Sequence, residues 1–381
     1  LTMVDDEALL PYTLQFWRTF IQWIGGVGVI VLTLSILARP GTGSYVLYKG
    51  EARDQKTHPS IVSTVRTIWW IFLLYTVIGI VALTAVGFFV QSNGMDPWQA
   101  LNHAMTGLAT GGFSVTDDSI ASFDAVSQFV VVILMVLGSI AFVAHYDLLN
   151  GRLKRFFRDP QLKSMLLFFI VGILLLTLLN MSGIFSFSHF ADAFGDAAFQ
   201  FISALTCTGF ASVESLAVWS ESSLLLLSFA MVIGGAAGST AGGIKLFRAI
   251  LLYKGVGWRI KQAISTPRRV FVHKLGDKSL SKENAMDLIN EAAIISFIWI
   301  IILSASIMLL SSIYSDLSLG KVIFEVCSAQ GNVGLTAGIT SISMNSAAKA
   351  MLIVNMWIGR LEIIPVIVLI RSFFGIRRNL V

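Results

Sequence analysis

Seven apolar stretches, at about 13–38, 64–90, 125–149, 164–181, 222–252, 285–313 and 347–371, are each long enough to cross a lipid bilayer. A hydrocarbon core of about 30 Å takes roughly 20 apolar residues as a helix. A chain with that many such stretches folds as a polytopic bundle. Composition agrees: 55% of residues are hydrophobic, 13% are charged and the mean hydropathy is +0.79. Soluble domains carry about 25% charged residues, so a water-soluble globular enzyme is excluded. No nucleophile–base set, phosphate loop or metal cluster appears, and no cofactor is expected. Cys207 and Cys327 read as small packed side chains. The chain opens Leu1-Thr2-Met3-Val4-Asp5-Asp6-Glu7 without an initiator Met and reads as cut at its front end.

Charge gives the orientation. Of the 27 Lys and Arg residues, all but Arg18, Lys321, Lys349 and Arg360 fall in the segments 39–66, 150–163 and 245–282 and in the tail at Arg371, Arg377 and Arg378. The alternate loops hold acids, among them Asp5, Asp6, Glu7, Asp96, Asp117, Asp118, Asp124, Asp192, Asp196, Glu214, Glu221 and Asp316. The positive-inside rule puts the basic loops and the C-terminus in the cytoplasm of a multi-pass cytoplasmic-membrane protein. The net charge of +5 follows from that topology, and nucleic acid is dropped as a partner. Contact with membrane lipid is expected throughout.

Three shorter stretches, at about 97–109, 190–206 and 318–330, lie between spans on the acidic side. They suit re-entrant helices, with surface helices as the alternative. Asp96-Pro97 supplies a helix start. From residue 64 the order is span, short helix, span, three times, and the first span is the second half of a fourth unit. This predicts an all-α membrane fold of four helix–re-entrant helix–loop–helix repeats, the first incomplete. The units are 1–63, 64–163, 164–284 (with a broken span) and 285–381.

Each short helix runs into a glycine tract: Ala109-Thr110-Gly111-Gly112-Phe113-Ser114, Thr206-Cys207-Thr208-Gly209-Phe210-Ala211 and Gly331-Asn332-Val333-Gly334-Leu335-Thr336. Stripping water from a monovalent cation takes a ring of oxygens, which backbone carbonyls supply. Glycine permits the dihedrals that aim them, and the following apolar residue can brace the loop. Helix-packing glycines are the alternative. A second cluster, Ile233-Gly234-Gly235-Ala236-Ala237-Gly238-Ser239-Thr240-Ala241-Gly242-Gly243-Ile244-Lys245, disfavours a continuous helix within a span, at ~1 kcal/mol per glycine. A close-packed GxxxG-like contact is the other reading. Arg360 lies deep in the last apolar stretch, where a charge costs at least ~2.5 kcal/mol and faces a cavity or a partner. Glu362 is a poor intrahelical partner for it, and an ion pair with another helix is the structural alternative. His103 and His189 read as packing or outer polar groups.

On Thr106-Gly107-Leu108-Ala109-Thr110-Gly111-Gly112-Phe113-Ser114, Ser203-Ala204-Leu205-Thr206-Cys207-Thr208-Gly209-Phe210, Gln330-Gly331-Asn332-Val333-Gly334-Leu335, the 233–245 cluster and Arg360, the chain resembles the Trk/Ktr/HKT superfamily of potassium transporters. The pattern is nearest the bacterial and archaeal Trk-type uptake subunit. The resemblance implies K⁺ uptake by channel-like permeation through a filter of Thr110, Gly111, Gly112, Cys207, Thr208, Gly209, Asn332, Val333 and Gly334. It also implies a gate of Gly234, Gly235, Gly238, Ser239, Thr240, Gly242, Gly243, Lys245 and Arg360. A homodimer with a cytosolic nucleotide-binding regulatory subunit is implied as well, K⁺ being the transported ion. The match for a fourth filter glycine falls just before Leu1, the family position that helps set K⁺ against Na⁺. A Na⁺-conducting or Na⁺-coupled relative and a non-conducting structural subunit are the other readings.

Overall fold

The computed structural model describes residues 7–37, 61–90, 93–181, 187–265, 272–276 and 278–361. Its helices are α1 (Tyr12–Leu37), α2 (Ile61–Phe89), α3 (Pro97–Leu108), α4 (Ala125–Ser139), α5 (Phe142–Leu149), α6 (Leu153–Arg158), α7 (Pro160–Asn180), α8 (Phe187–Leu205), α9 (Glu221–Ile233), α10 (Leu246–Ile264), α11 (Lys282–Ile313), α12 (Leu319–Gly331) and α13 (Ser346–Leu361). A two-stranded antiparallel hairpin, β1 (His273–Leu275) and β2 (Lys278–Leu280), sits in the basic segment before α11. Nothing in the hydropathy pattern announced it. Leu1, Thr2, Arg39, Lys49, Arg53, Lys56, Arg268, Arg269, Glu362 and the tail arginines lie outside the described residues, as does the side chain of His189.

Among the described residues α2, α7 and α11 are long and apolar enough to cross a membrane, yet only 33–39% of their most apolar windows is buried within the protein. On α2 the outward residues include Val77, Ile78 and Val81, and on α7 Leu167, Ile170 and Leu178. A helix apolar all round, with much of that surface uncovered, needs a hydrocarbon solvent. The inner faces close on a core that includes Met135, Met165, Leu205, Phe210, Leu224, Met231 and Phe324.

The three short helices form close to where the sequence puts them. α3 starts at a capping box: Gln99 N–H donates to Asp96 Oδ1 (2.7 Å), Asp96 N–H donates to Gln99 Oε1 (3.0 Å), and Pro97 fills the first turn. At 12 residues, α3 is about 18 Å long and too short to cross. α8 begins three residues earlier than expected, at Phe187.

Two spans break. The expected span over 125–149 bends by 106° between α4 and α5. The glycine-rich span ends at Ile233, and helix resumes only at Leu246. The two breaks satisfy one another. Ala236 N–H donates to the Ser139 carbonyl (3.0 Å), Thr240 N–H to the Gly138 carbonyl (3.2 Å) and Phe142 N–H to the Gly238 carbonyl (3.0 Å). Backbone groups that leave a helix at membrane depth must find protein partners, and here each interrupted span supplies the other's. The uninterrupted reading of 125–149 fails because those carbonyls are committed to the loop.

Glycines set the closest helix contacts. A Cβ on Gly138 would overlap the Leu108 carbonyl oxygen, and one on Gly359 the Gln330 carbonyl oxygen. Each pins the helix that follows a glycine tract against the short helix that precedes it. Overpacking of this kind costs about 1–3 kcal/mol. Gly359→Val is therefore expected to lower the melting temperature of the detergent-solubilised protein. Ile353→Val, on an outward position that is 63% exposed, should leave it unchanged in the same thermal-shift assay.

Candidate functional site

The three short helices end in the same way. Gly111, Thr208 and Val333 N–H groups reach back to the carbonyls of Thr106 (2.8 Å), Ser203 (2.9 Å) and Ser328 (2.9 Å). Inside those bonds, Thr110, Cys207 and Asn332 N–H groups donate to Gly107, Ala204 and Ala329 carbonyls, each at 3.1 Å. This nested pair is a Schellman turn. It requires a left-handed residue, and Thr110, Cys207 and Asn332 take it at φ of 48°, 55° and 55°. Asn adopts this conformation readily, but the turns at Thr110 and Cys207 are held against their own preference by what surrounds them. Two residues on, Gly112, Gly209 and Gly334 have φ of 76°, 90° and 110°.

Side chains hold these turns at two levels. Six residues before the glycine stands a hydroxyl. Thr106 Oγ1 donates to the Phe113 carbonyl (2.8 Å) and Ser203 Oγ to the Phe210 carbonyl (2.7 Å). Gly209 N–H donates to Ser203 Oγ and Gly334 N–H to Ser328 Oγ, both at 3.1 Å. Nine residues before the glycine stands a fully buried polar side chain that grips the loop beyond the tract. His103 Nε2 shares a 2.8 Å hydrogen bond with Ser114 Oγ, and Gln200 Nε2 donates to Ser212 Oγ (3.3 Å). Glu325 accepts from the Thr336 hydroxyl (2.8 Å) and the Ala337 N–H (2.9 Å). The sequence reading missed Ser328, Gln200 and Glu325, and gave His103 a packing or outer polar role. Extending the glycine alignment backwards would have exposed both recurrences.

The tracts touch in succession. A Cβ on Gly112 would overlap the Thr208 carbonyl oxygen, and one on Gly209 the Val333 carbonyl oxygen. Glycine is therefore required at both places by space as well as by dihedral angle. The apolar residues that follow wedge in as expected: Phe210 is fully buried, its ring 5.8 Å from that of His103, and Leu335 is buried too. Phe113 instead lies under the Arg18 guanidinium at 4.8 Å. Gln22 of α1 clasps the first tract, Nε2 donating to the Gly111 carbonyl (2.7 Å) and Oε1 accepting from Phe113 N–H (3.0 Å). Cys207 and Cys327 are buried free thiols.

The 234–245 loop presses on this arrangement. Thr240, fully buried, receives a hydrogen bond from Thr110 Oγ1 (3.0 Å) and donates to the Gly138 carbonyl (2.9 Å). A Cβ on Gly242 would overlap the Gly331 carbonyl oxygen, and Gly234 packs on the Gly242 carbonyl. Gly235 sits against Ala241 and Ser139, and Gly243 closes on Gly234. Ser239 Oγ donates within the loop to the Ala236 carbonyl (2.6 Å). Gly238 takes a left-handed φ of 78° with open space beside it. Lys245 ends the loop at the start of α10, with φ of 79°.

Arg360 ties the loop to two other elements. Its guanidinium donates to the Thr240 carbonyl (2.7 Å) and to the Gly25 and Gly26 carbonyls of α1 (2.8 and 3.1 Å). Among the described residues these partners are backbone carbonyls, and the carboxylate partner of the ion-pair reading is not found. Every one of the eighteen residues singled out from sequence thus falls in one contiguous region, with Lys245 at its edge.

Apolar helices with uncovered flanks around apposed, irregular backbone tracts define a membrane transport protein, in which backbone oxygens are the chemistry on offer. A family model described as a cation transport protein, TrkH, matches residues 1–374. The chain belongs to this family, whose members are transporters and not enzymes. An uncharacterized cation transporter of Methanocaldococcus jannaschii is 34% identical over 374 residues, 98% of this chain and 73% of that protein. The Trk system potassium uptake protein TrkH of Escherichia coli is 31% identical over 387 residues, 98% of this chain and 76% of that protein. The crystal structure of the potassium transporter TrkH from Vibrio parahaemolyticus superposes with a TM-score of 0.79 at 28% identity, covering 98% of this chain and 75% of that one. The chain thus spans about three quarters of the length of these relatives.

Removing a buried hydroxyl that both donates and accepts costs about 1–3 kcal/mol. Ser203→Ala is accordingly expected to lose thermal stability. Ser222→Ala, on the exposed face of α9, should show no change in the same measurement.

Proposed function

We propose that the chain carries K⁺ into the cell, down its electrochemical gradient, through a carbonyl filter formed by the three glycine tracts. The observation that carries this reading is the threefold recurrence of the left-handed turn at Thr110, Cys207 and Asn332, with Gly112 and Gly209 packed on the next tract's carbonyls. An oxygen-rich backbone held rigid at membrane depth can replace an ion's hydration shell. Filter oxygens come from Thr110, Gly111, Gly112, Cys207, Thr208, Gly209, Asn332, Val333 and Gly334. In this reading the Gly111 carbonyl is shared with Gln22. The repeats 1–63, 64–163, 164–284 and 285–381 surround one pore with pseudo-fourfold symmetry, the basic loops and tail facing the cytoplasm.

The gate is the 234–245 loop, lying against the filter on its cytoplasmic side. Thr240 engages the first tract, and Arg360 holds the loop to α1 while placing a positive charge beside the ion path. The glycines permit the rearrangement that opening requires. A homodimer with a cytosolic nucleotide-binding regulatory subunit completes the proposal, since a loop closed by a few hydrogen bonds can be biased by docking on the basic face.

Radioactive Rb⁺ uptake into proteoliposomes tests both parts. Gly209→Ser should abolish uptake or its preference over Na⁺. Arg360→Ala should raise uptake about fivefold, the factor that losing on the order of 1 kcal/mol from the closed state produces. Unchanged flux in a folded Arg360→Ala protein contradicts the gate, and absence of monovalent-cation flux from the parent protein contradicts the transport reading.

A further inference from the structure

Glu325 is the most deeply buried carboxylate among the described residues, at 0% exposure. It sits in α12, nine residues before Gly334, where the other two short helices carry His103 and Gln200. Its oxygens accept from the Thr336 hydroxyl (2.8 and 3.1 Å), the Ala337 N–H (2.9 Å), the Thr340 N–H (3.0 Å) and the Thr340 hydroxyl. Every one of these partners is a donor, the set that an acceptor-only carboxylate takes. Among the described residues no Lys or Arg lies within ion-pair distance of it, the ion pairs there being Arg18–Glu7 and Arg152–Asp147.

A buried charge is costly unless something pairs with it. Hydrogen bonds satisfy the lone pairs of Glu325 but bring no positive charge. Thr336, which bonds it, is two residues beyond Gly334 and exposed. The carboxylate therefore lies one hydrogen bond from an exposed residue just beyond the third tract. A negative charge in a low-dielectric wall beside an opening focuses its field into that opening and raises the local cation concentration.

We propose that Glu325 is an affinity-determining residue: its counter-charge is the entering cation, and its negative charge sets the half-saturating concentration for uptake. The three short helices thus use one position for two purposes. His103 and Gln200 brace the loop, and Glu325 braces it while also attracting the ion. The inference rests on the filter reading proposed above.

The experiment is Rb⁺ uptake by the transporter in proteoliposomes as a function of external Rb⁺, comparing Glu325→Gln, Glu325→Asp and Thr340→Val. Glu325→Gln removes the charge, and KM is expected to rise about tenfold, the lower end of what a focused field supplies. Thr340→Val removes a hydrogen bond but keeps the charge, so KM should stay within about twofold while stability falls. Glu325→Asp keeps the charge on a shorter arm and should also hold KM within about twofold, which serves if Glu325→Gln fails to fold. Equal KM shifts for Glu325→Gln and Thr340→Val, or an unchanged KM in Glu325→Gln, overturn the proposal and leave a structural brace. A KM in Glu325→Asp raised about tenfold overturns it too. Loss of the filter reading shows differently, as a Gly209→Ser protein whose uptake and Rb⁺ preference match those of the parent.

Discussion

A backbone that is neither helix nor sheet has no water to bond with at membrane depth, and the rest of this structure depends on how that need is met. The nested hydrogen bonds after α3, α8 and α12 absorb the last-turn carbonyls of the short helices and force a left-handed residue at Thr110, Cys207 and Asn332. Thr110 and Cys207 disfavour that conformation and Asn332 tolerates it, so the first two turns in particular stand because side chains over-determine them. The hydroxyls of Thr106, Ser203 and Ser328 hold each turn to its own helix, and His103, Gln200 and Glu325 hold the loop beyond. The helix termini point at the tracts, as the macrodipole argument asks. Part of their carbonyl charge is nonetheless spent inside the turn, leaving the tract carbonyls as the oxygens on offer.

The same constraint explains the two broken spans. A helix interrupted at Ile233 and another interrupted after Ser139 would each leave several backbone groups without partners. Placed together they exchange them, and Thr240 joins the pair to the first tract. Arg360 then draws α1 and the loop to α13 through carbonyls alone. A cation bonded to carbonyls keeps its charge without a neutralising partner, as the proposed gate requires of it.

Much of this was legible because bilayer physics writes itself into length and composition. Apolar runs gave the helices, and the Gly234–Gly243 cluster marked one break correctly through helix propensity. The bend after Ser139 has only the Gly138-Ser139 pair to mark it in sequence, a weak signal within an apolar run, and the partners that fix it lie in a loop about a hundred residues away. Glycine spacing exposed the tracts, since Gly112 and Gly209 have no room for a Cβ. The braces at Gln200 and Glu325 went unseen for the opposite reason: with His103, they do the same work by imidazole, amide and carboxylate, so no single residue type recurs at that position. Gln22 was hidden because its partners, Gly111 and Phe113, lie about ninety residues further along the chain.

In the proposed mechanism, cations bind where the glycine tracts meet. Crystals of the protein grown in Rb⁺, measured at the Rb absorption edge, test it without relying on flux. Anomalous density is expected between the tracts, within coordination distance of the Thr208 and Val333 carbonyls, and is expected to be lost in Gly209→Ser. Anomalous density confined to other parts of the molecule, with the tracts intact and empty, would contradict it.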